Sequence, residues 1–73
     1  MTLKWTETDR TTDGRFWLTG ESVRGEGRWW NLSMTPDAGA HLLDGEDPQP
    51  CALSKRRMKQ FAQRIADRMD ATT

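Results

Sequence analysis

The stretch from Ser54 to Asp70, S-K-R-R-M-K-Q-F-A-Q-R-I-A-D-R-M-D, decides the fold. Met58, Phe61, Ala62, Ile65, Ala66 and Met69 recur at the three- and four-residue spacing of one helical face. Leu53 sits just ahead of that face. Ser54 suits the N-cap, where a hydroxyl accepts a free amide of the first turn. A single apolar stripe needs a surface to be buried on, and everything before Ser54 has to supply it.

That upstream part reads as strands. Leu3, Trp5 and Glu7 alternate with Lys4, Thr6 and Thr8, which predicts a first strand over Thr2–Thr8. Asp9 to Gly14 reads as a turn, with Asp-Gly at its end. A second strand starts at Arg15 and runs to about Val23, with Gly20 as a weak point or bulge. Arg24 to Gly27 is the next turn, and Arg28 to Met34 the third strand. Thr35 to Gly39 reads as a further turn and Ala40–Leu43 as a short fourth strand. Asp44 to Pro50 is a polar loop with two prolines that leads into the helix.

The fold class is therefore α+β: a three- or four-stranded antiparallel meander over about residues 2–43, with one C-terminal helix, about 54–70, packed on one face. With 73 residues the chain is one small domain. At this size a core contributes a net stability of roughly 3–5 kcal/mol.

Pleating decides which aromatics go inside, because neighbours on a strand point to opposite faces. Pairing Phe16 with Met34, Leu18 with Leu32 and Gly20 with Trp30 puts five apolar side chains on one face and centres the hairpin on Gly25. The expected core is Phe16, Leu18, Trp30, Leu32, Met34, Phe61, Ile65 and Met69, with Leu3 or Trp5. Trp17 and Trp29 fall on the outer face.

Composition excludes several function classes. There is one His, one Cys and no Tyr. His41 and Cys51 are not spaced as a metal site, and a zinc centre takes about four such ligands. Asp44, Glu46 and Asp47 lack the twelve-residue pattern of a calcium loop. Gly25-Glu26-Gly27 does not extend to a phosphate-binding motif. The expectation is a non-enzymatic protein with no cofactor and no metal. A lone cysteine permits no internal disulfide and fits a reducing compartment. No apolar run approaches the ~20 residues that span a bilayer, so a cytoplasmic protein without membrane contact is expected.

Net charge is zero, but unevenly spread. Met1 to Ser54 holds five basic and nine acidic residues, a balance of −4; Lys55 to Thr73 holds six basic and two acidic, a balance of +4. Lys55, Arg56, Arg57 and Lys59 crowd the positive end of the helix dipole, where cations are unfavourable. Either the acidic loop Asp44–Asp47 neutralises them, or an anion or acidic partner does.

The candidate partner-binding residues are thus Trp17, Trp29, Lys55, Arg56, Arg57 and Lys59. Exposed tryptophans serve as protein-binding anchors or as stacking platforms for unpaired bases; homodimerisation through the sheet would also cover them. The alternative is a nucleic-acid-binding module that uses the basic helix start and the exposed Trp-bearing sheet face; zero net charge and a single helix argue against it. The leading expectation is stoichiometric binding to a protein partner. Size and layout are similar to those of phage and mobile-element accessory proteins, inhibitors of host defence complexes among them, though no motif matches one family.

Overall fold

The computed structural model describes residues 2–47 and 50–71. Pro48 and Gln49 of the polar loop lie outside them. The elements run β1 (Phe16–Val23), β2 (Gly27–Met34), α1 (Pro36–Gly39), β3 (Cys51–Ala52) and α2 (Lys55–Ala71). The sheet is antiparallel with order β1-β2-β3, and α2 packs against it. This is the α+β class expected.

The β1–β2 hairpin takes the predicted register: Phe16 opposite Met34, Leu18 opposite Leu32, Gly20 opposite Trp30. Two turn glycines have left-handed φ, Gly25 at 81° and Gly27 at 86°, a conformation that side-chain-bearing residues seldom adopt. Gly20 is not a bulge. The ladder runs unbroken through it to Val23, and the missing side chain makes room for its neighbours. A Cβ there would lie 2.7 Å from Trp30 Cζ3 and 2.5 Å from Arg28 Nε.

The core forms where the inner face of the hairpin meets the stripe on α2. Phe16, Leu32 and Ile65 are fully enclosed; Leu3, Leu18, Ala38, Met58, Ala62 and Ala66 complete the buried set. Trp30, Met34, Phe61 and Met69, expected inside, sit half-buried around the rim with Trp5 and Leu42. The centre is too narrow for large side chains on every turn of the helix, and Ala62 and Ala66 let it approach the sheet.

Three expectations are corrected. Thr2–Thr8 is not a strand. The segment turns back on itself, Asp9 N–H donating to Thr6 C=O at 3.0 Å and Thr6 N–H to Arg10 C=O at 2.8 Å. Asp9 occupies the left-handed region at φ 58°, which aspartate tolerates better than most residues. Single bridges, Trp5 with Thr11 and Arg10 with Trp17, take the place of a ladder. Four threonines and three acids within residues 6–13 offer local hydrogen bonds that compete with strand pairing.

Ala40–Leu43 is not a strand either. Thr35-Pro36-Asp37 starts a helix rather than a turn: the Thr35 hydroxyl accepts from Ala38 N–H and proline occupies the first turn. The following residues continue in turns, with His41 N–H on Ala38 C=O and Leu42 N–H on Gly39 C=O. The third strand is instead Cys51–Ala52, residues that the sequence reading assigned to no element. It pairs with Asn31 and Trp30, and Leu32 N–H reaches Pro50 C=O at 3.1 Å.

Candidate interaction surfaces

The basic residues at the start of α2 do not form one cluster. Lys55 and Lys59, one turn apart, both turn toward Asp9, at 2.9 and 3.4 Å. The hydrogen bond from Lys55 is the main cause of a lowered Asp9 pKa; burial opposes it and Lys59 adds to it. Lys55 also lies over the Trp30 ring at 4.3 Å, with Arg28 at 5.0 Å, and Lys59 lies 5.2 Å from the Trp5 ring centroid. Cations against aromatic faces are attracted by the ring quadrupole. Arg56 shares a groove with Lys55 and Lys59, lined also by Trp5, Gln60 and Gln63. Arg57 borders a second groove beside β3.

The acidic loop sits at the other end of the helix. Arg68 grips Glu46 with two bonds, 2.7 and 3.1 Å, and takes the His41 carbonyl at 2.8 Å. Glu46 also accepts the Leu43 amide at 2.6 Å. Asp9, not the Asp44–Asp47 loop, is therefore the carboxylate bonded to Lys55 and Lys59. Arg68, followed by the Leu43 amide, holds the Glu46 carboxyl at about 2 instead of 4.5. A carboxyl held below its unfolded value contributes stability that is complete above about 4.5 and fades as the pH falls toward about 2. Glu46→Gln is accordingly expected to lower the urea midpoint at neutral pH, with the gap from wild type closing over that window. A gap that is constant with pH would contradict this account.

Trp17 and Trp29 lie on the outer face, away from α2, and both are half-buried. Trp17 is opposite Ser33 and beside Arg10. Trp29 is opposite Glu21, and its indole N–H donates to Glu26 at 3.1 Å. Four residues of strand, roughly 13 Å, separate them. Thr19, Asn31 and the exposed Cys51 complete the face. The six residues singled out from sequence thus occupy two opposite sides of the sheet.

Sequence reading missed the anchoring role of Asp9 and the grouping of Arg57, Phe61 and Arg64. The second was signalled by spacing, since positions i, i+4 and i+7 share a helix face. Among the described residues there is no group of three or more His, Cys, Asp or Glu able to hold a metal ion. No described helix is long and apolar enough to cross a membrane. Comparison with protein-family models, with curated proteins and with solved structures finds no match to this chain.

Proposed function

We propose that this is a non-enzymatic protein that binds a protein partner stoichiometrically through the outer face of its sheet, with Trp17 and Trp29 as anchors. The observation that carries this reading is the placement of both tryptophans on the face opposite α2, at the two ends of a polar strip. Tryptophan at such positions is a typical source of binding energy. The basic helix start is on the other side, and two of its four cations are paired with Asp9. It does not join the outer tryptophans in the combined basic and aromatic track that single-stranded nucleic acid uses. An accessory protein of a phage or mobile element that inhibits a host defence complex is the setting that size and layout suggest.

The test uses Trp17→Ala and Trp29→Ala. Both are expected to keep the helical circular dichroism and urea midpoint close to wild type while binding to a partner captured by the wild-type protein falls about tenfold or more, as for hot-spot truncation. Full retention of that partner by both variants would refute the anchor role. A wild-type dimer in sedimentation that either variant dissociates would reassign the face to self-association. Saturable, salt-reversed quenching of tryptophan fluorescence by single-stranded DNA would move the reading to nucleic acid.

A further inference from the structure

The free edge of β3 carries a second surface, which borders the outer face at Trp29 and Cys51. In an antiparallel ladder the main-chain groups of successive residues point alternately toward the partner strand and away from it. Leu32 N–H bonds Pro50 C=O, and Asn31 is opposite Cys51. Pro50 and Ala52 therefore face β2, and the N–H and C=O of Cys51 point to the open side. Cys51 is also exposed. Its main chain has no hydrogen-bond partner among the described residues and offers one donor and one acceptor in strand geometry.

Beside this edge runs a groove of about 300 Å³ between β3 and α2. Asp47, Pro50 and Cys51 line one side and Arg57, Phe61 and Arg64 the other, Asp47 being itself partnered. Arg64 stacks over the Phe61 ring at 5.3 Å. No ion pair holds Arg57 or Arg64 among the described residues, in contrast to Lys55, Lys59 and Arg68 on the same helix. Two guanidinium groups flanking an aromatic ring, neither in an ion pair among the described residues although Arg64 lies within the electrostatic reach of Glu46, stand next to an open strand edge and match an extended acidic segment.

We infer that the β3 edge takes an extended, acidic segment of a protein partner as an added antiparallel strand. Main-chain bonds to Cys51 supply the pairing, and alternate side chains select the sequence. Those on the helix side bring carboxylates to Arg57 and Arg64, where bidentate bonds form. Those on the outer side meet the hollow lined by Glu21, Val23, Glu26, Trp29, Asn31 and Cys51, where uncharged groups fit.

The probe is a capped octapeptide of alternating valine and glutamate, followed by amide NMR of the labelled protein. Binding is expected to slow hydrogen exchange of the Cys51 amide about tenfold or more. The charge-reversed double variant Arg57→Glu/Arg64→Glu is expected to lose about tenfold or more in affinity; glutamate is favourable in the first turn of a helix, and retained helical dichroism checks the fold. The same peptide N-methylated at alternate residues should not bind, because its edge donors are gone. Trp17→Ala should bind the probe as wild type does, which separates this surface from the one proposed above. The inference is overturned if the Cys51 amide is unchanged at millimolar probe, if a valine–lysine octapeptide binds equally, if the double variant binds as wild type does, or if single-stranded DNA displaces the peptide at lower concentration.

Discussion

Phe16→Ala is expected to leave most of the protein unfolded at room temperature. Phe16 is fully enclosed at 0% exposure, one of the three largest buried side chains with Leu32 and Ile65. It lies where the hairpin, α2 and the N-terminal segment meet, so no neighbour can collapse into the vacated volume without moving a whole element. Truncation of a buried Phe costs about 3–5 kcal/mol. A core of this size contributes about the same in total, so one substitution consumes the margin. Urea titration followed by helical dichroism and tryptophan emission reads the result. A cooperative transition with a near-wild-type midpoint would contradict it. Ile65→Ala belongs to the same range for the same reason. Trp30→Ala should cost less, because that ring is half exposed at the rim.

Thr11→Val is expected to destabilise by about 1–3 kcal/mol although the two side chains have nearly the same shape. Thr11 is the one buried polar residue among those described, at 4% exposure. The reason lies in the register. Phe16 and Met34 form a pair whose main-chain groups point outward from the β1–β2 ladder, so the Phe16 N–H faces the N-terminal segment. There it is met by the Thr11 hydroxyl at 3.1 Å, while Thr11 N–H donates to Phe16 C=O at 2.9 Å. The hydroxyl in turn donates to Asp13 Oδ1 at 2.7 Å. Valine removes the acceptor and strands a buried amide. A second readout follows from the same bond. Burial pushes the Asp13 carboxyl up, but the Arg15 amide, the Thr11 hydroxyl and the Arg15 guanidinium together hold it below its usual value. In the valine variant Asp13 should titrate higher. Thr11→Ser should retain both stability and titration. If valine and threonine prove equally stable, the hydroxyl is not needed to satisfy Phe16.

The parts of this fold that were legible in the sequence are those with a repeating period. The stripe from Met58 to Met69 fixes α2, and the match of Phe16-x-Leu18 with Leu32-x-Met34 across a glycine-rich turn fixes the hairpin to the residue. The parts that were not legible depend on distant partners or on chemistry that outweighs a short pattern. Three alternating residues, Leu3, Trp5 and Glu7, resemble a strand, yet Leu3 is drawn to Gln63 on α2 and the chain turns at Asp9. Thr35-Pro36-Asp37 suits a turn and a helix start equally; the helix is formed because Ala38 can then be buried. At the surface, the run of cations at residues 55–59 was evident, but its division was not. Only the folded chain brings Asp9 to Lys55 and Lys59, and only strand alternation turns Cys51 outward.

The attachment of residues 3–9 to α2 also bears on the order in which the protein assembles. The hairpin closes over three residues of turn, a local event completed in microseconds for such elements. Leu3, by contrast, waits for a partner 60 positions away, and Lys55 and Lys59 are nearly as far from Asp9. Closing so long a loop is favourable only once its far end is already held in place. During synthesis residues 3–9 are made before α2, so Asp9 C=O can already accept from Leu18 N–H, while the contacts of Leu3 and Asp9 with α2 form only after residues 55–63 have been made. Docking of residues 3–9 on α2 would then follow formation of the hairpin rather than accompany it.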